Sequence, residues 1–176
     1  MLRSFISEGD NILDIGAHIG TFSIPFTIFN KKKGTVFSFE ANPDNYELLV
    51  RNIQENQLDQ LIIPINAVVS MEGNTEFSMF LPDSGNSGMY YFSPNSSKSD
   101  KSVPSININN WYNSLDKSIN IQLIKIDVEG AELSVLCSCH QIIEKYKPIL
   151  YIEISKTALE RFNSTIKDIE EMLDSF

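Results

Sequence analysis

The sequence predicts an α/β fold, an open parallel sheet with helices on both faces, and three observations carry that expectation. Short apolar runs ("NILDI", "TVFSFE", "LIIPINAVVS") alternate with segments of helical period, and strand–helix–strand order implies parallel pairing with right-handed crossovers. Glycines cluster just after the first run, in "DIGAHIG". A later pair of runs, "NIQLIKIDVEG" and "PILYIEI", brackets another helical segment.

Taken in order, "NILDI" is the first strand and "GTFSIPFTIFN" the helix after it. Pro25 lies about one turn into that helix, where a missing N–H costs least, with a kink there as the alternative. "TVFSFE" is the second strand. Asn42 and Pro43 supply an N-cap and first-turn proline for a helix with Leu48, Leu49, Asn52 and Ile53 on one stripe. "LIIPINAVVS" reads as the third strand, and "TEFSMF" and "SININNWY" as half-exposed strands. Between these two, Pro82 to Ser105 is rich in Ser, Gly, Pro and Asn and reads as a long loop suited to a lid. The fourth strand ends in "KIDVEG". Its helix runs from Ala131 to Tyr146, with Leu133, Leu136, Cys137, His140 and Ile143 or Glu144 on one stripe. "PILYIEI" is the fifth parallel strand, Ser155 to Phe162 a helical turn, and Ser164 the cap of a last helix. The sheet order expected is 3-2-1-4-5, with residues 1–176 as one domain.

Composition narrows the function. A net charge of −9 repels phosphate backbones, so nucleic acid is not an expected partner. No apolar run reaches the length of a membrane span and the N-terminus does not read as a signal peptide, so the expected location is cytoplasmic. The "KKK" run, Lys31 to Lys33, reads as a solvated loop. Cys137 and Cys139 are two apart on a helix and point in different directions, so packed, reduced thiols are expected and no metal site.

Ligands of open parallel sheets bind beyond the carboxyl ends of the strands. Gly16 there lets the backbone approach a ligand, and Gly20 lets the next helix pack close. Glu40, ending the second strand, is placed to accept hydrogen bonds from ribose hydroxyls. The dinucleotide pattern G-x-G-x-x-G is absent, because His18 stands where its second glycine would be. That favours S-adenosylmethionine over a nicotinamide dinucleotide.

"NILDIGAHIGTFSIPF", "VFSFEANPDNYELLVRNI" and above all "LIKIDVEGAELSVL" followed by "PILYIEI" resemble the FkbM family of S-adenosylmethionine-dependent methyltransferases. The resemblance implies a Rossmann-like class I methyltransferase fold and O-methylation of a hydroxyl on a sugar, glycolipid or polyketide-like acceptor. By position it puts Asp14, Gly16, Ala17, His18 and Gly20 around the methionine end of the cofactor. Glu40 falls on the ribose, Asn66 and Ala67 near the adenine, and Asp127 beside the methyl group. His18 departs from the asparagine common in the family. Two rivals remain: a nicotinamide-dependent oxidoreductase, and a non-catalytic or incomplete domain. The latter draws on the antiparallel hairpin that usually follows the fifth strand, which the sequence lacks. A bare fifth strand predicts self-association through it or through the last helix.

Removal of a hydroxyl proton needs a base at the strand ends. Asp127, Glu129 and Glu153 qualify, and Asp127 and Glu129 are the expected catalytic pair. The alternative for both is structural: favourable charge near a helix start, or an ion pair with Lys125 on the same strand face. His140 lies too far down its helix. Trp111 and the "MYYF" cluster, Met89 to Phe92, are either acceptor-pocket walls or core and lid residues.

Overall fold

A computed structural model of the chain describes residues 2–80, 91–94, 102–115 and 119–176. Its first layer is the expected five-stranded sheet. The strands are β1 (Ile12–Ile15), β2 (Val36–Glu40), β3 (Ile62–Asn66), β8 (Leu123–Ile126) and β9 (Ile149–Ile152), the last two numbered after four strands introduced below. Their order is β3-β2-β1-β8-β9 and every pairing is parallel. That is the predicted order 3-2-1-4-5. Every residue of β1, β2 and β8 is buried, as expected for strands covered by helices on both faces.

The helices follow the sequence signals closely. Helix α1 (Ser23–Phe29) carries Pro25 in its first turn. In α2 (Pro43–Glu55) the Asn42 side chain accepts the Asp44 N–H, while Leu49 and Ile53 turn inward. Beyond α3 (Ile108–Asn113) come α4 (Glu132–Tyr146), α5 (Lys156–Arg161) and α6 (Ile166–Asp174). Two cores result. One lies between α1, α2 and the sheet, around Phe26, Leu49 and Ile62. The other lies on the opposite face, around Phe37, Ile124, Leu136 and Ile142.

The remaining four strands form a second sheet that the sequence reading did not foresee. It comprises β4 (Val68–Val69), β5 (Glu76–Phe80), β6 (Tyr91–Pro94) and β7 (Ser102–Ile106), in the order β4-β7-β5-β6. "LIIPINAVVS" is therefore two strands. At Ala67 the chain leaves the parallel sheet, its N–H bonding Glu40 O, and Val68 and Val69 pair instead with Ser105 and Ile106. The segment 82–105 is likewise no continuous loop, since β6 and most of β7 lie inside it. The lid expectation otherwise falls outside the described residues, as does "MYYF" apart from its backbone at Tyr91 and Phe92. "SININNWY" is half helix, because Asn107 ends the strand and its side chain accepts the Asn110 N–H to start α3.

Two smaller expectations shift. The buried face of α4 is Glu132, Val135, Leu136, Ser138, Cys139, Ile142 and Ile143, so the stripe keeps Leu136 and Ile143 but is rotated away from Cys137 and His140. The cause is α3, which packs against α4 with the Ile108 N–H donating to Ser138 Oγ at 2.6 Å. The cap of α6 is Thr165 rather than Ser164: Thr165 and Asp168 form a reciprocal capping box. Thr165→Ala is expected to cost about 1 kcal/mol of stability, read by urea denaturation.

Among the described residues no strand pairs with the outer edge of β9, whose Ile149 and Tyr151 are 40% and 37% exposed. Self-association of this chain in sedimentation is the expected result. A monomer with slow amide exchange along 149–154 would refute it.

Candidate active site

The parallel sheet positions its functional groups by register. Asp14 on β1 lies between Ser38 on β2 and Lys125 on β8. Inside the sheet Ser23 Oγ donates to Asp14 Oδ2 at 2.6 Å, and Lys125 Nζ stands 3.2 Å from Asp14 Oδ1. These groups lie behind the site, not in it.

Beyond the ends of β1, β2 and β8 opens a cavity of about 680 Å³. That is the size of a small-molecule site. Its floor is the turn after β1. Gly16 and Ala17 donate their N–H groups to Phe39 O at 2.9 Å each, and the His18 N–H donates to Glu40 Oε2 at 2.7 Å. Gly16 has φ +82°, and its Cα faces the Asp127 carbonyl so closely that a Cβ would sit 1.7 Å from that oxygen. His18 is also left-handed, at φ 52°. Asparagine and histidine tolerate that conformation better than most residues, which accounts physically for either residue at this position.

Glu40 is 7% exposed and lines the cavity. Its Oε2 holds His18 N–H and its Oε1 accepts Asn42 N–H at 2.8 Å. Burial pushes its carboxyl above the usual glutamate range, and these backbone donors, with a hydrogen bond from the Asn45 side chain, only partly offset that. Asp127 and Glu129 line the same cavity. Glu129 is also raised, first by desolvation and next by the neighbouring Asp127 charge, with Arg161 opposing.

Of the residues anticipated from sequence, Gly16, His18, Glu40, Ala67, Asp127 and Glu129 line this cavity together. Asp14, Ala17 and Gly20 sit behind it. Asn66 turns away, its Nδ2 donating to Glu40 O and Ala41 O at 2.8 and 3.2 Å. Glu153 is exposed and off the wall. Trp111 packs edge-on against Phe37 and Phe39 in the core, at 5.0 and 5.1 Å between ring centroids. His140 pairs with Glu144 at the surface. Cys139 is buried, its thiol well above the usual range through desolvation, whereas Cys137 reaches the cavity. Among the described residues no cluster of His, Cys, Asp or Glu suits a metal ion.

The far wall was not anticipated. Val68, Val69 and Phe77 come from the second sheet, Met71 from the turn after β4. The Met71 N–H donates to Ser134 Oγ at 2.9 Å, and Asn107 Nδ2 donates to Met71 O at 2.7 Å, fixing that turn to α3 and α4. No lysine or arginine appears among the described lining residues.

The comparisons with known proteins agree with this architecture. The chain is 30% identical over 83 residues to a tRNA (guanine(37)-N(1))-methyltransferase of Batrachochytrium dendrobatidis, covering 47% of the chain and 16% of that enzyme. It is 42% identical over 65 residues to the tRNA(Phe) (4-demethylwyosine(37)-C(7)) aminocarboxypropyltransferase of Methanocaldococcus jannaschii, covering 36% of the chain and 25% of that protein. Among solved structures, the methyltransferase FkbM of Methylobacillus flagellatus shares the fold with TM-score 0.57 at 21% identity, over 84% of this chain and 33% of that one. A precorrin-6y C5,15-methyltransferase of Geobacter metallireducens has TM-score 0.57 at 10% identity, over 97% and 66%. The chain thus corresponds to a third or less of the first three proteins' lengths. Residues 14–176 match the methyltransferase FkbM domain from end to end of the site just described, and the chain belongs to the FkbM methyltransferase family.

Proposed function

We propose that this chain binds S-adenosylmethionine in the cavity and methylates a hydroxyl of an uncharged acceptor such as a sugar, glycolipid or polyketide. The observation that carries the reading is Glu40. Its oxygens hold the His18 and Asn42 N–H groups and a bond from the Asn45 side chain, and the carboxylate still lines the cavity with acceptor capacity left for a ribose hydroxyl. The residues fit that cofactor better than a dinucleotide. A pyrophosphate would find no lysine or arginine among the described wall residues, and would face Asp127 and Glu129.

When bound, the cofactor supplies an electrophilic methyl group. The Gly16 turn and Glu40 hold the nucleoside in place, and Ala67 leaves room beside it. Glu129, with its raised carboxyl, takes the acceptor's proton, while Asp127 lies beside the reacting centre. The tRNA enzymes above act on RNA; here a chain of net charge −9 with an acid-lined cavity favours a small acceptor without phosphates.

Titration calorimetry with S-adenosylhomocysteine, NAD and NADP tests the reading. Binding of the first alone is expected. Binding of a dinucleotide would point to the oxidoreductase, and binding of none to a non-catalytic domain.

A further inference from the structure

Lys125 is 2% exposed, in the middle of a fully buried strand. A buried ammonium is costly unless each of its donors has a partner. Here one backbone carbonyl accepts a hydrogen bond from it and two carboxylates compensate its charge. Nζ donates to Gly16 O at 2.6 Å, and stands 3.2 Å from Asp14 Oδ1 and 3.4 Å from Asp127 Oδ2. The Phe22 ring covers its remaining side, with the centroid 5.2 Å away. Asp127 is 29% exposed and lines the cavity, so the ammonium spans from the sheet interior to the site wall.

The Gly16 carbonyl is the only backbone acceptor of this ammonium among the described contacts, and it belongs to the turn that forms the cavity floor. On the N–H side that turn is fastened to β2, through Phe39 O and the Glu40 carboxylate. On the carbonyl side Asn52 Nδ2 holds Ile19 O at 2.8 Å, and Lys125 holds Gly16 O. An apolar residue at position 125 would leave Gly16 O without its side-chain donor and Asp14 and Asp127 without their shared cation.

We propose that Lys125 is a positioning residue: one buried ammonium sets both the Gly16 turn and the Asp127 carboxylate at the walls of the site. The expectation for ligand affinity rests on the cofactor reading above, whereas the expectation for the turn does not. Two readouts therefore separate the two.

The first is amide hydrogen exchange of the ligand-free chain, wild type against Lys125→Met, at a temperature where both remain folded by circular dichroism. Ile169→Ala, a core truncation in α6 on the opposite face of the sheet from Ala17, serves as a stability control. Gly16, Ala17 and His18 are expected to exchange at least about tenfold faster in Lys125→Met than in the control, with β3 unchanged relative to it. Equal acceleration in the two variants, or none, overturns the proposal. The second readout is S-adenosylhomocysteine affinity by calorimetry, expected to fall about tenfold or more in Lys125→Met and less than twofold in Ile169→Ala. A wild type that binds no S-adenosylhomocysteine refutes the cofactor reading and leaves the exchange result to decide Lys125. Should Lys125→Met not fold, the wild-type lysine ammonium signals decide it. One slowly exchanging Nζ–H₃ group that is coupled to the Gly16 turn supports the proposal, and only solvent-like ammonium signals overturn it.

Discussion

Glu40→Ala is expected to weaken S-adenosylhomocysteine binding by about 1.5–3 kcal/mol, the loss of a charged hydrogen-bond acceptor from a buried site. The same change removes the acceptor of His18 N–H and of Asn42 N–H, so the turn after β1 and the start of α2 lose an anchor as well. Glu40→Gln separates the two effects. It keeps one oxygen acceptor but turns an N–H₂ toward a backbone N–H, so it should bind weakly while folding better than the alanine variant. An affinity within twofold of wild type for Glu40→Ala would remove the ribose assignment.

Glu40 also gives this prediction a pH signature. Its folded-state carboxyl lies above the ordinary value of 4.5 because burial penalises the charge. Between 4.5 and that raised value the folded chain therefore binds more protons than the unfolded one. The cost of carrying Glu40 is absent below this window and fully present above it, so stability falls as pH rises through it. Ligand affinity runs the other way, since the diol needs the ionised carboxylate. Affinity for S-adenosylhomocysteine should fall as pH drops, starting at a higher pH than for an ordinary glutamate. Glu40→Gln should flatten both profiles in calorimetry and urea titrations.

The residues that built this site differ in how visible they are in the sequence. The Gly16 turn, Glu40 and Asp127 announce themselves, because a strand end followed by glycine or by an acid is a local pattern with a local cause. Sheet order was legible for the same reason: strand–helix alternation leaves few ways to wind. The wall from Val68 to Phe77 was not legible. Nothing at Ala67 marks the break between β3 and β4, as neither glycine nor proline stands there. The break is set by β7, some 35 residues later, which captures Val68 and Val69. Lys125 was visible only as a neighbour of Asp127. Its contact with Gly16 O depends on β1 and β8 lying side by side, which periodicity along the chain does not encode. The phase of α4 was misjudged for a similar reason, since Ser138 is buried by its bond to α3 and not by its own hydropathy.

Gly16→Ala is expected to be the most damaging single methyl group that can be added at the site. Two penalties combine there. The residue sits at φ +82°, a conformation that costs an L side chain about 1–2 kcal/mol. The added Cβ would also lie 1.7 Å from Asp127 O and 2.8 Å from its carbonyl carbon, both backbone atoms that no rotamer change can move. Either the turn lifts off β8, straining the bonds that Gly16 and Ala17 make to Phe39 O, or Asp127 is driven from its place at the site. A stability loss on the order of 3–5 kcal/mol is expected, with S-adenosylhomocysteine binding abolished. Gly9 supplies the control. It has φ +85° but no heavy atom within 4 Å of its would-be Cβ, so Gly9→Ala isolates the conformational penalty. Urea denaturation of the two variants then reads the steric part as their difference. If Gly16→Ala costs no more than Gly9→Ala, the close approach of the turn to Asp127 is not a constraint on this fold.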